Sequence, residues 1–149
     1  MLGKRDKERL TKLLDFFINE SGDFQKFSEY TWKDYQFDKD KRRNIERWIE
    51  NLTNSSIDMA KILLASEDFP IPQSYKEILF AFGARYFNED FGKMIENWAI
   101  LRNIVTHEYL DIKWNSIKMF LKESKPFLDQ LHQKIKEILL SSDSTSHPP

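Results

Sequence analysis

The sequence predicts an all-α protein, an antiparallel bundle of four to five helices. Three observations carry that expectation. Apolar residues recur along most of the chain at the three- and four-residue spacing of a helical face. No stretch shows the strict alternation of a half-buried strand. Only four Gly and five Pro occur in 149 residues, which leaves little material for hairpin turns. With 40% apolar and 32% charged residues, the chain suits one domain large enough to bury a core. That domain is expected over residues 1–140, with a disordered Ser-rich tail over 141–149.

Leu10, Leu13, Leu14 and Phe17 share one face of a helix expected over 4–19, and Ser21-Gly22-Asp23 stops it. Residues 24–37 gather Phe24, Phe27, Tyr30, Trp32, Tyr35 and Phe37. The first two suit a short helix, and the spacing of the others leaves their structure open. The segment reads either as an aromatic lid on the bundle or as a surface on which unpaired bases stack.

The clearest helix is expected over 38–66, capped by Asp38, with Ile45, Trp48, Ile49, Leu52, Met59, Ile62 and Leu63 as its apolar stripe. Lys39, Lys41, Arg42, Arg43 and Arg47 crowd its first turns. Positive charge there opposes the helix macrodipole, so the run brings no helix stabilisation. It is either a solvated face or a phosphate-contacting patch, which makes Lys41, Arg42, Arg43 and Arg47 candidate RNA-binding residues.

Phe69-Pro70-Ile71-Pro72 predicts a rigid loop. Ser74 and Glu77 have capping-box spacing and open a helix through about Phe82, which Gly83 is expected to end. Asn88-Glu89-Asp90 caps the longest helical pattern of the second half, over 89–110. A short helix is expected around 114–121. Ser124 and Pro126 begin a last one to about Leu140, apolar at Phe127, Leu128, Leu131, Ile135 and Ile138.

Composition narrows the function classes. A formal net charge of −1 gives no global basic field, so a nucleic-acid partner needs a local patch. With no Cys, disulfides, thiolate catalysis and Cys-based zinc sites are ruled out. The first residues are charged, no apolar signal core follows, and no apolar run approaches the length of a membrane span. The expectation is a cytoplasmic protein with no membrane association.

Chemistry-bearing residues concentrate in the stretch from Leu101 to Ile112, which holds Arg102, Asn103, His107 and Tyr109. Projected at about 100° per residue, Phe91, Met94, Ile95, Trp98, Leu101 and Val105 share a core-facing stripe. Asn103 and His107 fall on the opposite face, flanked by Ile100 and Ile104. Apolar residues on an outer face imply a cover, and a second copy of the chain is one such cover. Arg102 projects near the edge of the core stripe, away from His107. Histidine ordinarily titrates near neutrality and can take and return a proton. A guanidinium is permanently charged and matches a phosphate, and Asn can orient either. Such a set can cleave RNA without a metal: a base deprotonates the ribose 2′-hydroxyl, which attacks the adjacent phosphate while Arg stabilises the added charge. No cluster of metal-ligand residues surrounds the stretch. The structural alternative is a His that bridges or caps helices.

The run Arg102-Asn103-Ile104-Val105-Thr106-His107-Glu108-Tyr109 resembles the R-x4-H-x-Y signature of the HepT-like toxins, in the HEPN superfamily of helical ribonucleases. Asn103 matches the polar residue that usually follows the Arg, and Pro72-Gln73-Ser74-Tyr75 resembles the family's Pro-x-Ser-Tyr segment. The resemblance covers roughly residues 38–140. It implies a HEPN-like bundle working as a homodimer with two motifs facing one cleft. It implies a metal-independent endoribonuclease toxin, needing no cofactor, with Arg102 and His107 catalytic and Asn103 supporting. It also implies a type VII-like toxin–antitoxin pair, in which a minimal nucleotidyltransferase antitoxin transfers AMP to Tyr109. The rival expectation is a non-catalytic HEPN subunit that presents substrate to a partner nucleotidyltransferase.

Overall fold

The computed structural model describes residues 2–145. Among them are eight α-helices and no strand. The helices are α1 (Lys4–Ser21), α2 (Phe24–Ser28), α3 (Trp32–Phe37), α4 (Lys39–Ser66), α5 (Tyr75–Tyr86), α6 (Glu89–His107), α7 (Leu110–Glu123) and α8 (Lys125–Thr145). The all-α expectation holds. The number of helices exceeds four to five because the aromatic segment folds as α2 and α3, and α5 and α7 are full helices of 12 and 14 residues.

The spine of the fold is α4. Asp38 caps it as expected, its Oδ1 accepting from the backbone N–H groups of Asp40 and Lys41. From Ser55 to Leu64 only Asp58 and Lys61 are not buried, so α4 is enclosed on nearly all sides there. Small polar side chains let its neighbours approach closely. Buried Ser55 donates to the carbonyls of Asn51 and Leu52, and buried Ser56 donates to that of Leu52, so neither hydroxyl is left unsatisfied. The end of α1 lies against the first half of α4, where Trp48 Nε1 donates to the Glu20 carbonyl at 2.7 Å and Asn51 Nδ2 to the Glu20 carboxylate at 2.8 Å.

Gly83 does not end α5. The helix passes through it to Tyr86, because Gly83 is where α5 crosses α6. A Cβ built on Gly83 would lie 2.5 Å from the Gly92 Cα, and one on Gly92 would lie 2.7 Å from the Phe80 carbonyl oxygen. Two glycines thus let two backbones touch, fixing α6 against α5.

The later boundaries move as well. The expected 89–110 helix ends at His107, and α7 begins at Leu110. The helix α8 continues to Thr145, with Lys7 Nζ donating to the Ser142 carbonyl at 3.3 Å and tying its end to the start of α1. Residues 141–145 of the expected tail are therefore helical, and 146–149 lie outside the described residues. One contiguous apolar core joins all eight helices, with Tyr35 the contribution of α3. No described helix is long and apolar enough to cross a membrane.

Candidate active site at the α6–α7 corner

The helix α6 buries Phe91, Ile95, Trp98, Leu101 and Val105, the stripe its periodicity predicts. Asn103 and His107 are exposed on the other side. His107 is the last residue of α6, and Glu108 and Tyr109 form an extended two-residue link into α7. Tyr109 therefore leaves the chain from the link rather than from the helix, and its side chain is 82% exposed. It stands at the N-cap position of α7 without a side-chain cap bond.

Arg102 points to the opposite flank of α6, toward α4 and α5. Its Nε donates to Asn54 Oδ1 at 2.8 Å. Its guanidinium carbon lies 5.3 Å from the centre of the Tyr75 ring. Lys61 Nζ lies 5.2 Å from the centre of the same ring, so two cations attend one half-exposed phenol. Tyr75 is held there because Ser74 caps α5, its hydroxyl oxygen accepting from the Glu77 N–H at 3.1 Å. The anchoring of Arg102 uses one nitrogen, and neither Nη group makes a hydrogen bond among the described residues. A guanidinium fixed at Nε with both Nη groups open is arranged to receive two oxygens of a phosphate.

The structure does not join the predicted residues to one another. No hydrogen bond, ion pair or ring contact links Arg102, Asn103, His107 and Tyr109 side chains among the described residues. Asn54, which holds Arg102, is a candidate site residue that sequence reasoning missed. Its signal was faint: one polar residue in the run Asn51 to Ser56, in the middle of a long amphipathic helix. Among the described residues no group of three or more His, Asp or Glu side chains is placed to hold a metal ion.

The expected basic patch divides. Lys41 pairs with Asp34 at 3.2 Å, a contact whose hydrogen bond and charge raise the lysine pKa, and it also sits over the Tyr30 ring. Arg42 donates to the carbonyls of Tyr35 and Gln36 at the end of α3. Those two cations hold α3 to α4. Arg43 and Arg47 are exposed. The aromatic segment is likewise anchored. Tyr35 is fully buried, stacks on Trp114 at 5.3 Å, and donates to Glu46 Oε2 at 2.6 Å.

On the outer side of α6, Ile100 and Ile104 line an apolar hollow of about 240 Å³ between α6 and α7, with Met94, Leu101, Met119 and Phe120. Met119 is 56% exposed.

The chain belongs to the HepT-like ribonuclease family: residues 17–138 match the family described as Ribonuclease HepT-like. No curated protein and no solved structure is significantly similar to it.

Proposed function

We propose that the chain is a metal-independent endoribonuclease, the toxin of a type VII-like toxin–antitoxin pair, with its site at the α6–α7 corner. The observation that carries this reading is Arg102, held at Nε by Asn54 with both Nη groups open, on the same short stretch as an exposed His107 in a chain of a ribonuclease family. His107 takes the proton of a ribose 2′-hydroxyl. The 2′-oxygen forms a bond to the adjacent phosphorus, and the bond from phosphorus to the 5′-oxygen breaks. That oxygen leaves as a hydroxyl after gaining a proton, and a 2′,3′-cyclic phosphate remains. The Arg102 fork stabilises the charge that builds on the phosphoryl oxygens, and Asn103 supports substrate placement.

The working unit is a homodimer. Ile100, Ile104 and Met119 present apolar surface beside the motif, and a second copy covering it brings two motifs to one cleft. That pairing supplies the meeting of Arg102 and His107 that a single chain lacks. Control acts through Tyr109, whose exposure leaves its hydroxyl open to a partner nucleotidyltransferase. The phenol oxygen attacks the α-phosphorus of ATP, pyrophosphate leaves, and the proton passes to solvent. The resulting phosphodiester competes for the Arg102 fork.

The non-catalytic reading, a subunit presenting substrate to the nucleotidyltransferase, draws on the separation of Arg102 and His107 within one chain. Incubating the purified protein with RNA in EDTA separates the two. The catalytic reading expects cyclic phosphate ends. Cleavage that appears only on adding a divalent metal overturns the mechanism, and no cleavage with any RNA favours the binding subunit. Intact-mass measurement with the nucleotidyltransferase and ATP expects a gain of one or more AMP units that Tyr109→Phe abolishes.

A further inference from the structure

One face of α7 has no place in that chemistry. Asp111, Asn115, Lys118 and Lys122 follow at four, three and four residues, forming a single stripe about 16 Å long. The stripe starts two residues beyond Tyr109. Two adjoining hollows lie along it. The smaller, about 250 Å³, is lined by Trp32, Asp111, Trp114, Asn115 and Lys118. The larger, about 720 Å³, is lined by Tyr30, Trp114, Asn115, Lys118 and Lys122 with Ser28, Leu121 and Met119, the last shared with the hollow beside Ile100. Together they make an open groove between α7 and the aromatic segment.

We propose that this groove binds unpaired nucleotides of single-stranded RNA next to the cut, a proposal that rests on the ribonuclease reading of the corner. Three features select that occupant. Lys118 and Lys122 form no ion pair among the described residues, in contrast to Lys41, Lys113 and Lys125, which do. Two free cations about 6 Å apart along a helix suit successive phosphates. Trp32 and Trp114 lie 6.4 Å apart in a tilted pair, and Trp32 is 36% exposed, so an aromatic face is open to a base. The wall carrying Trp32 is rigid: Thr31 and Asp34 form a reciprocal capping box, and Tyr35 is locked to Glu46 and Trp114. Asp111 is the one acid on the stripe. It repels phosphate and accepts hydrogen bonds from a base edge, which places bases at the motif end and phosphates at the lysine end.

The experiment uses intrinsic fluorescence. Trp48, Trp98 and Trp114 are buried, so a stacking base quenches chiefly Trp32. The probe is a short single-stranded RNA of mixed sequence, 2′-O-methylated throughout so that no hydroxyl is left to attack. The full chain is expected to show quenching with this probe and none with its duplex. The Lys118→Glu/Lys122→Glu variant is expected to bind about tenfold or more weakly. Its salt slope should flatten by about 1.4, two contacts at about 0.7 each for single strands. Trp32→Phe should remove most of the quenching. Unchanged affinity and slope in the charge variant, with native circular dichroism, overturns the proposal, as does preference for the duplex or competition by the nucleotidyltransferase alone. The probe cannot be cut, so the two readings fail separately. Binding without cleavage of ordinary RNA removes the ribonuclease reading and leaves the groove, and cleavage with undiminished binding in the charge variant does the reverse.

Discussion

The α3–α4 corner and the α6–α7 corner are both turns of one or two residues between helices, and both are rich in polar side chains. They treat those side chains in opposite ways. At the first, Thr31 and Asp34 cap α3, Asp38 caps α4, Lys41 pairs with Asp34, and Arg42 donates to the last carbonyls of α3. At the second, α7 has no side-chain cap, Tyr109 and His107 are exposed, and Arg102 is held at a single nitrogen. Folding explains the polar groups of the first corner and leaves those of the second unexplained. Groups that fold stability does not require are where function is to be sought.

The comparison is broken most sharply by activity. His107→Ala should lower RNA cleavage about a hundredfold or more and leave the melting temperature within about 2 °C of the parent, because an exposed side chain without partners contributes little to stability. Asn54→Ala should fall between parent and His107→Ala in rate, since it frees the guanidinium without removing it, and Asn54→Asp should restore part of the loss. A steady-state rate series with thermal melts checks all three.

The next effect is on folding. Gly83→Ala or Gly92→Ala forces α5 from α6 and should cost about 1–3 kcal/mol, read by urea unfolding. Either change should also reduce cleavage, because α6 carries the motif.

Alkaline pH sharpens the contrast between buried and exposed phenols. Burial, with the charge and hydrogen bond of Glu67, pushes the Tyr86 phenol up to about 12. Burial and the hydrogen bond to Glu46 raise Tyr35 as well. A phenol whose folded pKa is raised contributes stability that is fully present below the unfolded value of about 10 and is lost as pH rises through the folded value. Melting temperature should therefore fall from about pH 10 upward, and Tyr86→Phe should lessen that fall.

The smallest effect is a gain. Asp68 has φ 57° just after α4, where the Phe69 N–H donates to the Leu64 carbonyl and the Asp68 N–H to that of Ala65. Asp68→Gly should stabilise by up to about 1 kcal/mol, measured by denaturant unfolding, since Gly adopts that backbone without strain.

Periodicity made the helices legible. The stripes of α1, α4, α6 and α8 are buried nearly as the spacing places them, because a bundle buries what a helix aligns. Helix ends were less so. Gly83 looked like a stop because glycine ends many helices, and its actual task, close approach to Gly92, depends on a residue nine positions away in another helix. The end of α6 at His107 carries no Gly or Pro, so no local residue announced it. Within the site, the motif residues were visible as a short run, whereas Asn54 was not. Its contact with Arg102 spans 48 residues, and only the packing of α4 against α6 creates it. The partners of Lys41 and Arg42 were hidden for the same reason, since they lie on α3.

The two corners meet in one measurement: RNA cleavage and thermal melting of Arg102→Ala beside Arg42→Ala. Each substitution removes one guanidinium. If the α6–α7 corner does the chemistry, Arg102→Ala loses cleavage by about a hundredfold or more, far beyond what the small fall in melting temperature from its one hydrogen bond to Asn54 explains. Arg42→Ala then keeps cleavage and melts about 2–8 °C lower. Equal cleavage by Arg102→Ala and the parent, or loss of cleavage in Arg42→Ala alone, would contradict the account.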